Sequence, residues 1–156
     1  PCDNDPTMPT KTTRPSPTHN VPVVVDAQDA LDRLAEQLTD YPVVAIDTEA
    51  NSFYAYREQV CLIQISIPGT DYLVDPLALD DLSSLAPFFR SPEVEKVFHA
   101  VDYDLIVLRR DFDFVVRPVF DTMWAARILG WPKVGLADIL ETYFDVRVNK
   151  RYQRYN

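Results

Sequence analysis

Apolar residues recur along this chain with two different periods, and the switches between them divide it into elements. Ala27, Ala30, Leu31, Leu34, Ala35 and Leu38 repeat at intervals of three and four, which predicts a helix with one apolar face. Asp26 stands just before that run and is its expected N-cap. The stretch "VCLIQISI" at 60–67 alternates instead. It sets Cys61, Ile63, Ile65 and Ile67 on one face and Leu62, Gln64 and Ser66 on the other, the mark of a strand. Pro68-Gly69 is a turn signal, so "DYLVDP" folds back as the second arm of a hairpin. Residues 21–25 and 43–48 read as strands, as do "EKVFHA" and "FVVRPVF" further on. "DLSSLAPFF", "VDYDLIVLRRDF", "DTMWAARIL" and "GLADILETYF" read as helices. The third is expected to be capped by Asp121, and the last carries an apolar face of Leu136, Ile139, Leu140, Tyr143 and Phe144. A three-strand antiparallel meander followed by strands alternating with helices predicts an α/β domain: a mixed central sheet, with parallel strands added to the meander, flanked by helices.

Composition narrows the class. The chain has 156 residues, one domain's worth, and 47% are hydrophobic, enough for a sizeable core. Residues 1–20 differ: Pro and Thr dominate and Met8 is the one bulky apolar side chain, so a disordered tail is expected there, with the domain at 21–156. A net charge of −9 argues against a protein that coats nucleic acid through a basic surface. It leaves room for a nuclease whose acids hold cations, because bound metals invert the local field. The two cysteines, Cys2 and Cys61, suggest neither a disulfide framework nor a zinc site, so a reducing, cytoplasmic compartment is expected. No apolar run approaches a membrane span, and no membrane partner is expected. Three glycines, in neither GxGxxG nor GxxxxGK[ST] order, leave no phosphate cradle. The first residue is Pro rather than Met, so a processed or partial chain is expected.

Candidate chemistry begins at "VVAIDTEANS". Asp47 and Glu49 project from one face of a strand, with Cα atoms roughly 6.5–7 Å apart. Two carboxylates at that spacing can reach a pair of metal ions about 3.5–4 Å apart. A strand running out into a solvated loop explains the same two acids. In "VFHAVDYDLIVL", Val101, Leu105, Leu108 and Phe112 form an apolar helix face with Asp104 at its edge. A carboxylate there needs a partner or a metal. Asp102 suits a helix start, where the dipole favours an acid. His99 closes the preceding strand and reads as either a hydrogen-bonding or a liganding residue.

Six blocks, "VVAIDTE", "VCLIQIS", "LVDPL", "FHAVDYDLIVLRRDF", "FDTMWAARILG" and "GLADILETYF", resemble in order the ribonuclease D branch of the DEDD 3′–5′ exonucleases. The resemblance spans about residues 21–156. It implies a ribonuclease H-like exonuclease fold that trims single-stranded RNA 3′ ends with two divalent ions, Mg²⁺ or Mn²⁺. Asp47 and Glu49 match the first acidic motif and Asp104 the second. One ion would take Asp47 and Glu49, the other Asp47 and Asp104. The candidate substrate contacts are Ala50, Asn51, His99, Tyr103, Lys150 and Arg151.

The chain also departs from the pattern. The family's fourth acid comes from a Tyr-x-x-x-Asp motif, and that spacing occurs nowhere here. The domain is therefore expected to be incomplete at its C-terminus and weakly active or inactive as it stands. Ala50 replaces a bulkier residue often found after DTE. The closing "VRVNKRYQRYN" interleaves Arg147, Lys150, Arg151 and Arg154 with Tyr152 and Tyr155, which suits either a nucleic-acid contact or a solvated terminus. Arg109 and Arg110 fit a helix end, and Trp124 and Trp131 fit core or helix-end packing. Two competing functions share the fold: a DNA exonuclease of the proofreading type, and a DEDD-like scaffold that binds nucleic acid or a partner without cleaving.

Overall fold

Alternating apolar residues on neighbouring strands build the sheet, and their register decides which face is buried. The computed structural model describes residues 21–51 and 58–147. The 1–20 tail lies outside them, as do Lys150, Arg151, Tyr152, Arg154 and Tyr155 of the basic stretch. The chain divides after Asp121 into two units.

In the first unit six strands lie in the order β1-β4-β3-β2-β5-β6. They are β1 (Val23–Val25), β2 (Val43–Ala50), β3 (Val60–Ile67), β4 (Thr70–Val74), β5 (Glu95–Phe98) and β6 (Val119–Asp121). β2, β3 and β4 form the expected antiparallel meander, while β1 joins β4, β5 joins β2 and β6 joins β5 in parallel. Gly69, with φ +84°, makes the tight turn between β3 and β4 that an L side chain resists. Register places Ile46 opposite Ile65 and Thr48 opposite Ile63, all buried. Asp47 and Glu49 alternate onto the other side of β2, which is exposed.

Helices α1 (Gln28–Leu38), α2 (Ala86–Arg90) and α3 (Asp102–Phe112) complete this unit. α1 buries Leu31, Leu34, Ala35 and Leu38, four of the six expected positions. Its N-cap is Ala27, not Asp26: the Ala27 carbonyl accepts the Ala30 and Leu31 N–H groups, and no side chain caps the helix. Cys61 also leaves its expected face. A bulge between Glu49 and Ala50 pairs Glu49 with Leu62 and Ala50 with Val60, so Val60 takes the buried position and Cys61 is displaced.

The expected strand over "FVVRPVF" shrinks to β6 at its end. Phe114 instead enters the core and stacks on Phe89 with ring centroids 4.7 Å apart. Pro118 has no N–H to give a ladder, although its carbonyl accepts the Lys96 N–H.

The second unit carries α4 (Thr122–Ile128) and α5 (Leu136–Phe144). Trp131 stacks on Tyr143 at 3.9 Å, the helix-end packing expected of it. Trp124 is not a core residue: it is 48% exposed, with the Arg127 guanidinium 4.8 Å from its ring centre. Of the expected α5 face only Ile139 is buried, and Leu136 and Phe144 are exposed. So short a unit has too little surface to cover a whole helix face. No helix among the described residues is long and apolar enough to cross a membrane.

One core residue breaks the apolar rule. Lys96 on β5 is fully buried, and its ammonium donates to the carbonyls of Ser91 at 2.7 Å and Arg117 at 2.9 Å, above the Phe88 ring. Burial lowers its pKa to about 8. Lys96 thereby ties the turn before β5 to the segment before β6. Lys96→Met should lower the unfolding free energy by about 2–3 kcal/mol, since two carbonyls lose their donor. A urea midpoint that falls at unchanged slope is the expected reading, and an unmoved midpoint refutes the tie.

Candidate active site

Two acids come from one strand and the third from a helix, so the site depends on how β2 and α3 meet. Asp47 and Glu49 sit at i and i+2 on β2, and the strand's alternation alone puts them on one face. Gln64, directly opposite on β3, holds its amide 3.5 Å from Asp47 Oδ2. The bulge follows Glu49 at once, and the Cys61 thiol donates to the Glu49 carbonyl at 3.4 Å.

Asp104 enters from the first turn of α3. It is only 6% exposed, so it lies within the helix's buried face with Val107 and Leu108, not at the edge expected for it. Its Oδ1 accepts two bonds from Thr48, one from the backbone N–H at 3.1 Å and one from the hydroxyl at 2.6 Å. The start of α3 is fixed in turn by Asp121, at the end of β6. Its carboxylate accepts the N–H groups of Ala100 at 3.1 Å and Val101 at 2.9 Å. Ala100 adopts φ +63°, a conformation that a non-glycine residue holds only when its surroundings impose it. Through these two bonds Asp121, the expected cap of the helix after it, supports the helix before it.

The electrostatics show that the three acids feel one another. Loss of hydration raises the Asp47 carboxyl above its usual range, opposed by the Thr48 N–H and by His99. Burial raises Glu49 as well, and repulsion from Asp47 and Asp104 raises it further. Asp104 is raised by burial and by Asp47, against the Thr48 hydroxyl. His99 offsets part of the charge on Asp47.

The other expected contacts divide. His99 follows β5 and acts electrostatically on Asp47, so it belongs to this site. Ala50 is half-buried at the bulge. Asn51 is occupied structurally: its side-chain oxygen accepts the Gln59 N–H at 2.9 Å, and its own N–H donates to the Gln59 carbonyl at 3.1 Å. Tyr103, 45% exposed beside Asp104, donates its hydroxyl to Glu58. Arg110 does more than end a helix. It bonds Glu58 at 2.8 Å and grips Asp111 through two nitrogens, and Asp111 accepts the Val60 N–H at 2.8 Å. Arg109 does close the helix, on the carbonyl and carboxylate of Asp113. Lys150 and Arg151 lie outside the described residues.

Three clustered carboxylates supply an all-oxygen donor set, the kind that suits Mg²⁺ or Mn²⁺ over softer metals. In charge and donor type the residues fit such ions. Among the described residues, though, no three acidic, His or Cys side chains close into a cage around one. Sequence reasoning missed Thr48 and Asp121 as supports. Thr48 was legible in principle, because alternation turns the middle residue of "DTE" inward.

The chain matches the family described as 3′–5′ exonuclease over residues 22–156. It is 44% identical over 133 residues to Protein RRP6-like 3 of Arabidopsis thaliana, which covers 85% of this chain and 15% of that protein. It is 38% identical over 135 residues to the exosome complex exonuclease RRP6 of Saccharomyces cerevisiae, covering 86% and 18%. The chain thus spans less than a fifth of these two relatives. Among solved structures, the catalytic core of RRP6 from Trypanosoma brucei superposes with a TM-score of 0.83 at 33% identity, covering 96% of this chain and 42% of that one. Escherichia coli RNase D, an exoribonuclease involved in structured RNA processing, gives 0.81 at 32% identity, covering 88% and 37%. The mixed six-stranded sheet flanked by helices is the ribonuclease H-like exonuclease fold that the sequence implied.

A raised Glu49 carboxyl has a consequence for stability. The folded chain holds more protons than the unfolded chain between the ordinary value of 4.5 and the raised one, so stability is lost as pH rises through that window. Metal-free Glu49→Gln is therefore expected to melt above the wild type near neutral pH. The gap should close once the pH falls below the ordinary carboxyl value. Thermal scans across that range check this, and coincident melting at neutral pH contradicts it.

Proposed function

This chain belongs to the 3′–5′ exonuclease family, and from that we propose that it is the nuclease core of a ribonuclease D-like exoribonuclease. Its substrate is a single-stranded RNA 3′ end. The observation that carries the reading is the gathering of Asp47, Glu49 and Asp104 into one group whose carboxyls are all raised by burial, with Glu49 and Asp104 raised further by their acidic neighbours while His99 eases Asp47. Similarity to RRP6 proteins and to RNase D supports RNA over DNA.

Asp47, Glu49 and Asp104 are the residues that would hold the divalent ions. Bound there, such ions would lower the pKa of a water and offset charge on the phosphodiester. The chain's own part is positional. β2 fixes the separation of Asp47 and Glu49, and Thr48 holds Asp104. His99 biases Asp47 towards its charged form. Tyr103 presents an exposed ring next to Asp104 and is the candidate surface for a terminal base. Asn51 is less suited to that role, because Gln59 takes its side-chain oxygen. With no Tyr-x-x-x-Asp in the sequence, cleavage by the chain as given is expected to be slow.

Two measurements test the proposal together. Mn²⁺ should raise the melting temperature saturably, as any ligand specific for the folded state does. Asp47→Ala and Asp104→Asn should abolish that rise. A 5′-labelled oligoribonucleotide should shorten from its 3′ end only when Mn²⁺ or Mg²⁺ is present, and each substitution should slow this about 100-fold or more. DNA of the same sequence should be trimmed more slowly; faster trimming of DNA would favour the proofreading-type reading. RNA retained without any Mn²⁺-dependent melting shift would establish a non-cleaving scaffold instead.

A further inference from the structure

We infer that Thr48 is a positioning residue for the proposed metal site, selecting which oxygen of Asp104 faces the ions. The inference rests on the reading of Asp47, Glu49 and Asp104 as metal ligands and adds a residue that does not itself touch metal.

The reason lies in where β5 stops. It pairs with β2 only from Val43 to Ala45, opposite Glu95 to Val97. Beyond Ala45 no strand among the described residues lies beside that edge of β2, and a buried backbone N–H there needs another acceptor. Asp104 supplies it from α3, accepting the Thr48 N–H at 3.1 Å. The Thr48 hydroxyl then adds a second bond to the same oxygen at 2.6 Å, in the short range typical of O–H donation to a carboxylate.

Both bonds land on Oδ1, and Oδ2 takes neither. The terminal torsion of an aspartate is broad and roughly two-fold, so a single bond would leave the carboxylate plane loosely set. Two donors on one oxygen fix that plane and reserve Oδ2 for a cation. Thr48 can do this without crowding the ions. It is 8% exposed and faces the core, while its neighbours Asp47 and Glu49 face the other way. A serine would keep the hydroxyl. A valine would keep the shape and the backbone bond but lose the hydroxyl.

A merely structural role makes a different prediction. If Thr48 only satisfies a buried acid, Thr48→Val lowers the melting temperature of the metal-free protein and leaves Mn²⁺ affinity alone. If Thr48 sets the carboxylate, Mn²⁺ affinity itself falls. Removing a group that orients a metal ligand typically weakens binding 10–100-fold, so about tenfold is expected here.

The test is calorimetric titration of the full chain with Mn²⁺ alone, comparing wild type, Thr48→Val, Thr48→Ser and Asp104→Asn. The expected result is saturable binding by the wild type, a dissociation constant about tenfold higher for Thr48→Val, near-wild-type binding by Thr48→Ser, and none by Asp104→Asn. Should Thr48→Val fail to fold, Thr48→Ala replaces it in the same comparison. Wild-type binding with an unchanged constant in the hydroxyl-less variant overturns the role of Thr48 and leaves the metal site standing. Weak binding by Thr48→Ser, equal to that of the valine variant, overturns it too. No saturable binding by the wild type overturns both readings together.

Discussion

The carboxylates of Asp47, Glu49 and Asp104 repel one another, so the fold must hold them together with bonds that lie elsewhere. Like charges about 5 Å apart repel by roughly 3 kcal/mol at an effective dielectric near 20. For Asp47 and Glu49 the strand backbone absorbs this, because two residues on one face of β2 cannot part. Asp104 is another matter, since α3 could shift away. Thr48 holds its carboxylate, and Asp121 anchors the turn that delivers it. The Phe112–Phe114 and Phe89–Phe114 contacts bind the far end of the same helix into the core. The acids therefore stand on rigid elements at both ends of the helix, as a site requiring fixed geometry demands.

That division between backbone and tertiary support explains what could be read in advance. Local patterns found most elements of the described residues, because alternation on β3 and three-four spacing on α1 and α5 are local properties, though the strand expected over 114–120 kept only its end. The acids of β2 were legible for the same reason, and six ordered blocks supplied the partner on α3. What escaped were features decided by a neighbour. Cys61 reads as a core residue until the bulge opposite Glu49 displaces it. Lys96 reads as an ordinary charged position until two distant carbonyls and the Phe88 ring meet it. The bonds from Asp121 to the turn before α3 are equally hidden, because no local pattern shows that β6 will run beside β5 and bring its carboxylate to Ala100.

Tyr103 and Arg110 illustrate the same rule on the exposed side of α3. Helical spacing sets both on one face, about two turns apart, yet what they grip is Glu58, across the sequence just before β3. Asp111 adds a bond to the Val60 N–H beside it. The helix that carries Asp104 is thus tied to β2 through Thr48 and to the entry of β3 through Glu58 and Asp111. A movement of α3 must strain both strands at once, and those are the two strands that meet at the Glu49 bulge.

The sheet edge and the acidic site resolve each other's unmet needs. Once β5 ends, no strand among the described residues receives the buried Thr48 N–H of β2, and Asp104 supplies the acceptor from outside the sheet. A carboxylate accepts better than a carbonyl, but burial and the nearby Asp47 push Asp104 towards its protonated form. Protonation would keep the Thr48 bonds only if the proton sat on Oδ2, the oxygen Thr48 does not use. A divalent cation on that side would remove the conflict, because it favours the ionised form while leaving Oδ1 to Thr48. The Thr48 bonds to Oδ1 already satisfy the sheet edge, and a cation held on the other oxygen would strengthen them by favouring the ionised carboxylate.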